Sequence, residues 1–317
     1  MLFSEKLAAD GPLITVELSP PRGTDVSSML ANARALQGRV DAINVPDCQR
    51  SILKMSSLAA AALIESQTGI ETVWQLTCRD RNLIALQADL MGAWALGLRT
   101  VLALTGDPVQ VGDQKDLAAQ VFHLESTRLI ELIRGLNQGV DAIGVPLKKG
   151  GSRFTVGSAL NLARLSKQAQ RNRLRVKLEK GVDFFQTQPV YDLAPILEMR
   201  EIMTETCAQV GCAVPKVLVG IVPPSSAKAA RFMNEVVTGI QIPQAFIDLL
   251  ERSEDPKGES LAFCADVVAR LAPHCDGFHF MPVAMERRMP DLLDRCFPAP
   301  VAAPSPAPAR RAEPLQT

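Results

Sequence analysis

Eight short apolar runs, rich in β-branched and aromatic residues, alternate along the chain with segments of helical periodicity. They are "LITVEL" (13–18), "AINVPD" (42–47), "TVWQLTC" (72–78), "TVLALTGD" (100–107), "FTVGSAL" (154–160), "DFFQTQP" (183–189), "VLVGIVP" (217–223) and "GFHFMPV" (277–283). Strands so continuously apolar are buried on both faces, the situation of a parallel sheet covered by helices. Eight strand–helix units in 317 residues predict an α/β fold with a single (β/α)8 TIM barrel. A doubly wound sheet is the other arrangement the pattern allows. The helical segment "NLIALQADLMGAWALG" ends at Gly97, a suitable C-cap. Two crossovers are long. Residues 108–153 hold a charged stretch, a helix and the loop "GVPLKKGGSRF", and residues 224–276 have room for more than one helix.

The barrel is expected over residues 1–297. The Pro/Ala-rich stretch "PAPVAAPSPAPARRAEPLQT" (298–317) has no apolar periodicity and predicts a disordered tail. Composition then removes several function classes. Basic and acidic residues balance at 34 each, so there is no built-in attraction for nucleic acid or an anionic membrane. At 4% aromatic residues the chain is poorly equipped to stack single-stranded bases. It has no long apolar span, and the lead "MLFSEKLAADG" is unlike a secretory signal. The seven cysteines are scattered without CxxC spacing and read as reduced thiols of a cytoplasmic protein. No HExxH, GxSxG or Walker pattern occurs, and no metal is expected.

One residue breaks the pattern of the first strand. Glu17 stands inside "LITVEL", which does not alternate, and Pro20-Pro21 ends any further pairing. It either marks the wet end of the strand or points into a site at the strand's C-terminal end, the functional end of such barrels. The other strand ends are polar as well: Ser19, Asn44, Asp47, Gln75, Thr77, Thr105, Gly106, Asp107, Ser158, Asn161, Gln186, Gln188 and His279. Together they predict a pocket of amides and hydroxyls with Glu17 and Asp107 as its acids. Such a lining suits a flat heterocycle with many donors and acceptors.

The segments "VELSPPRG", "QLTCRDRN", "LALTGDPV", "KGVDFFQTQPVYD", "GIVPP…AARF" and "DGFHFMPVAM" resemble, in order, the signature segments of the 5,10-methylenetetrahydrofolate reductase family. The resemblance implies a (β/α)8 barrel with FAD that interconverts 5,10-methylenetetrahydrofolate and 5-methyltetrahydrofolate using NADH or NADPH. It implies Glu17 as the general acid for the folate nitrogen and Asp107 as a second catalytic acid beside flavin and pterin. It places Gln188 on the substrate pterin, with Gln186 as the alternative one strand repeat earlier, and Phe232 over a substrate ring. Asn44, Gln75, Thr105, Gly106, Ser158 and Lys177 fall among the implied cofactor contacts.

The chain also departs from the family pattern. Gln75 stands where histidine is usual, Thr105 where arginine is usual, and "GSALNL" replaces a "YPE"-like segment. Arg287 and Arg288 come a few residues after the usual strand-eight arginine. Two lost charge-assisted bonds, each worth about 1.5–3 kcal/mol, weaken a pyrophosphate site unless other groups compensate. Lys148, Lys149 and Arg153 are the candidate replacements. These departures keep two alternatives in view: a pterin-binding methyltransferase, and a flavin-poor subunit of a one-carbon assembly. The helical outer faces are compatible with a homo-oligomer.

Overall fold

The computed structural model describes residues 2–236 and 240–298; the expected tail, beyond Pro298, lies outside the described residues. The eight expected strands form as β1 (Leu13–Glu17), β2 (Ala42–Val45), β3 (Thr72–Thr77), β4 (Thr100–Leu104), β5 (Thr155–Leu160), β6 (Phe184–Pro189), β7 (Lys216–Ile221) and β8 (Gly277–Phe280). Each pairs in parallel with its sequence neighbours, and β1 pairs with β8, closing a (β/α)8 barrel in the order β1 to β8. Several apolar runs outlast their strands because their last residues, such as "PD" and "TGD", turn into the loops above the barrel.

Around it run α1 (Phe3–Ala8), α2 (Ser27–Ala35), α3 (Ser57–Thr68), α4 (Leu83–Ala95), α5 (Ser126–Asn137), α6 (Gln168–Glu179), α7 (Ala194–Val210), α8 (Ala227–Val236), α9 (Gln244–Arg252), α10 (Pro256–Leu271) and α11 (Met289–Cys296). Local chemistry sets their ends. Ser56 and Asn82 accept the backbone N–H groups of Ala59 and Ala85 at the starts of α3 and α4. Gly97, at φ 100°, follows the end of α4, as its C-cap role requires. The long seventh crossover holds α8, α9 and α10.

The main core lies between barrel and helices, where Val16, Ile43, Trp74 and Val101 are fully buried together with Ala60 and Ile64 of α3. A second, inner core fills the N-terminal end of the barrel with Leu13, Ala42, Val73, Leu102, Phe184 and Leu218. Phe184 occupies this space because its neighbour on β5 is Gly157: a Cβ there would lie 2.3 Å from the ring. The polar-looking N-terminal lead is in fact α1, and its Phe3 plugs the barrel floor, edge-on to Phe184 with ring centroids 5.3 Å apart. With its floor sealed, the barrel opens only toward the C-terminal strand ends. All seven cysteines are free thiols, and no described helix is long and apolar enough to cross a membrane.

Candidate active site

Above the apolar floor the barrel interior turns polar. Asn44 on β2 and Gln186 on β6 exchange amide hydrogen bonds across it, at 2.7 and 3.1 Å. Thr15 of β1 lies 3.0 Å from Nδ1 of His279 on β8. These four side chains satisfy one another and form a rigid support layer. Glu17 is the last residue of β1, on the same face as Thr15 and nearer the opening. Gln75 Nε2 donates to its Oε2 at 3.3 Å, and His279 Nε2 lies 3.9 Å from the same oxygen.

Electrostatics here follow from burial. Desolvation raises the Glu17 carboxyl to about 7, against the smaller opposing effect of the Gln75 hydrogen bond. Burial also pushes the His279 imidazole down to about 3. A neutral imidazole brings no positive charge to the carboxyl, so the 3.9 Å contact is not an ion pair at neutral pH. Glu17 keeps 18% of its side chain exposed, enough for a ligand to reach it from the opening. The site therefore holds a carboxylic acid that carries its proton close to neutrality, the requirement for a general acid.

Gln188 lies at a β-bulge. The register between β6 and β7 shifts between Gln186 and Pro189, and Gly220 makes the close approach possible, since a Cβ there would meet the Thr187 carbonyl oxygen at 2.6 Å. Its amide oxygen is buried and has no hydrogen-bond partner among the described residues, unlike the paired amide of Gln186. Of the two glutamines, Gln188 is the one left free to meet a ligand.

The profile of the family described as Methylenetetrahydrofolate reductase matches residues 2–296. The chain belongs to the methylenetetrahydrofolate reductase family. It is 23% identical to the 5,10-methylenetetrahydrofolate reductase of Pectobacterium carotovorum over 278 residues, covering 84% of each chain. It is also 23% identical to methylenetetrahydrofolate reductase 2 of Schizosaccharomyces pombe over 255 residues, 75% of this chain but 37% of the yeast protein. The chain thus spans little more than a third of that relative. Among solved structures, a Clostridium thermocellum protein that binds two copies of 5-methyl-5,6,7,8-tetrahydrofolic acid shares the fold, with TM-score 0.64 and 14% identity over 93% of this chain and 98% of the other.

The methylenetetrahydrofolate reductase family implies FAD, and the residues expected to hold it are differently engaged. Ser158 is fully buried on the same side of β5 as Val156 and Leu160 of the outer core, and its hydroxyl donates to the Ala103 carbonyl. It belongs to the helix-facing layer, and its expected cofactor contact is not made there. Lys177 clasps α6 to β5 by donating to the Ala159 carbonyl at 2.7 Å, and burial pushes its ammonium down to about 8. The Thr105 hydroxyl accepts the Ser126 N–H at the start of α5. Asn44 and Gln75 are held by Gln186 and Glu17 as described. Gly106, at φ 94°, packs against Thr77, where a Cβ would lie 3.0 Å from the Thr77 Cβ. Arg153 does not compensate: it shares a cavity with Ser4, Leu7 and Ala8 of α1, at the floor end, because its loop leads into the N-terminus of β5. Arg79 is buried and committed to Asp80 and the Cys48 carbonyl. The residues the resemblance assigns to FAD are thus committed to other contacts, and its diphosphate would have to be held by other cations or backbone donors at the opening.

Asp47, expected in the pocket, faces the helical layer instead. Its carboxylate accepts from Ser57 Oγ, Thr77 N and Thr77 Oγ1, and pairs with Arg81 at 2.6 Å. The second expected acid, Asp107, is exposed at the rim, where its Oδ2 accepts the backbone N–H of Arg50 at 2.7 Å. Phe232, on α8, is 46% exposed and lies under the Arg50 guanidinium, 5.3 Å from its ring centroid. Arg50 had no place among the expected site residues, and only its short spacing after the β2 run could have drawn notice. Arg287 and Arg288 line a cavity of about 620 Å³ beside the opening, with Ser19, Lys54 and Lys257. A larger cavity, about 930 Å³, lies along α5 and lacks Glu17. We place the chemistry at the barrel opening because the proton-bearing carboxyl is there.

Proposed function

We propose that the protein interconverts 5,10-methylenetetrahydrofolate and 5-methyltetrahydrofolate, with NADH or NADPH as the hydride donor in the reducing direction. The observation that carries this reading is the Glu17 carboxyl, raised to about 7 at the open end of the barrel beside a neutral His279. Family membership and the folate ligand of the Clostridium thermocellum protein support the substrate class.

In this reading Glu17 delivers its proton to N10 as the C–N10 bond of the methylene bridge breaks, leaving an N5 iminium cation. A hydride then adds to the iminium carbon and forms the methyl group. The nicotinamide is oxidised, the folate carbon is reduced, and the proton is regained from solvent through the exposed edge of Glu17. An ionised Glu17 left behind lies next to the cation it created, which favours the intermediate. Gln75 fixes the carboxyl's orientation. The free amide oxygen of Gln188 meets a pterin N–H, and the second carboxylate oxygen of Asp107 is available at the rim. Every one of these roles belongs to the chain's own residues.

The test is anaerobic oxidation of NADH and NADPH by the purified protein with 5,10-methylenetetrahydrofolate, with and without added FAD. Folate-dependent oxidation under either condition supports the reading. Activity without FAD would mean that the hydride passes directly from the nicotinamide to the folate. No oxidation under both conditions overturns the reading and favours methyl transfer or a partner-dependent subunit.

A further inference from the structure

The segment after β2 crosses the rim in an unusual conformation. Cys48, Arg50 and Ser51 all have positive φ, at 48°, 55° and 56°, where side-chain-bearing residues are strained. The strain is held by contacts on both sides. Asp107 takes the Arg50 N–H, Gln49 Nε2 donates to Ser19 Oγ at 2.7 Å, and Asp113 takes the Leu53 N–H at 3.3 Å. Gly112 abuts the segment so closely that a Cβ would lie 2.1 Å from the Ser51 carbonyl oxygen. The backbone of Arg50 is therefore fixed from β4, while its side chain reaches Phe232 beyond β7. The guanidinium has no hydrogen-bond or ion-pair partner among the described residues, although most arginines here are paired. A half-buried, unpaired cation stacked on an exposed aromatic ring, at the barrel opening, matches one kind of ligand end: an aryl ring whose acyl substituent carries a carboxylate.

We infer that Arg50 is the carboxylate anchor of the substrate and selects folates that carry their glutamyl tail, beside Phe232, which the family resemblance already sets over a substrate ring. This rests on the folate reading of the site. A pterin held near Gln188 and Glu17 leaves its tail pointing out through the opening, where Arg50 and Phe232 are the facing pair. The strained, clamped backbone gives the anchor a fixed position, so that less ordering is needed when the tail binds. Asp107 then acts as a positioning residue for Arg50 as well as a rim acid.

The experiment compares binding of 5-methyltetrahydrofolate with that of the 5-methyltetrahydropteroyl amide, in which a neutral carboxamide replaces the glutamyl group, to wild type, Arg50→Ala and Arg50→Lys by anaerobic calorimetry. Loss of a charge-assisted contact predicts that Arg50→Ala weakens the glutamylated ligand about 10- to 100-fold. The same variant should leave binding of the neutral amide within about twofold, and Arg50→Lys should recover part of the loss. Equal weakening of both ligands would make Arg50 a structural strap only, and unchanged binding of both would remove it from the site; either overturns the inference while the folate site stands. If wild type binds neither ligand, the folate reading itself fails, and the inference with it.

Discussion

The Glu17 carboxyl oxygen lies 3.9 Å from Nε2 of His279, and burial moves the two groups in opposite directions, Glu17 up to about 7 and His279 down to about 3. Both are neutral in the same pH range because both would have to be charged in a poorly solvated interior. The pair gives the barrel opening a proton donor without a fixed charge next to it. That is the property a site needs in order to protonate a weakly basic amine and then hold a cation.

Glu17→Gln keeps the hydrogen-bonding shape but has no proton to give. Folate reduction should fall by about 10²- to 10⁴-fold, the usual share of a general acid, with little change in folate affinity. In wild type the rate of the folate step should decline as pH rises through about 7, as Glu17 ionises. Single-turnover measurements against pH check both, and a profile unchanged by Glu17→Gln would place the proton donor elsewhere.

Stability should show the same pair in opposition. Glu17 holds its proton in the folded state up to about 7, while the unfolded carboxyl loses it near 4.5, so its contribution falls as pH rises between those values. His279 behaves in the opposite sense: the unfolded imidazole binds a proton below 6.5 and the folded one only near 3, so its contribution rises with pH over that range. Between 4.5 and 6.5 the two cancel. Relative to wild type, Glu17→Gln should therefore gain stability as pH rises across this window, and His279→Asn should lose it. Urea titrations at several pH values measure the slopes, and parallel curves for all three proteins would contradict the assigned shifts.

Asp107→Ala removes the acceptor for the Arg50 N–H. The strained segment should open more often, which exposes the Arg50–Ser51 bond to trypsin. Cleavage at that bond should accelerate about tenfold, since the lost bond is worth about 1–2 kcal/mol, with little change in global melting. Mass spectrometry of timed digests reports the site; an unchanged cleavage rate would show that the other clamps suffice.

Asp47→Ala strands the buried Thr77 N–H and hydroxyl donors and leaves Arg81 with Asp89 as its remaining ionic partner. The cost should be about 2–4 kcal/mol, seen as a lower denaturation midpoint. A loss below about 1 kcal/mol would mean the stranded donors are effectively solvated.

Much of this architecture was legible in the sequence because strand burial leaves a local record. Runs such as "TVWQLTC" and "VLVGIVP" are apolar on both faces only where a sheet is covered on both sides, and eight of them at helical intervals leave few folds. Glu17 could be singled out for the same reason, as an acid where the pattern demanded a hydrophobe. Direction was less legible. Asp47 and Ser158 look as available as Gln188 in the sequence, but alternation, a bulge and neighbouring donors turn the first two into the helical layer and leave the third unpaired. The helix before β1 left no such record, because its role rests chiefly on one apolar residue, Phe3, and a single residue makes no period.

The sequence by itself determined eight strand–helix units with strands buried on both faces and the carboxyl at the end of the first, since each depends on the periodicity and polarity of neighbouring residues. That the sheet closes, β1 on β8, was decided by the tertiary structure. The tertiary structure alone decided that Glu17 keeps its proton near neutrality, that the residues expected at FAD are engaged elsewhere, and that Arg50 meets Phe232 across the opening. Desolvation, hydrogen-bond partnership and stacking are properties of the space between distant segments, and that space exists only once the barrel has closed.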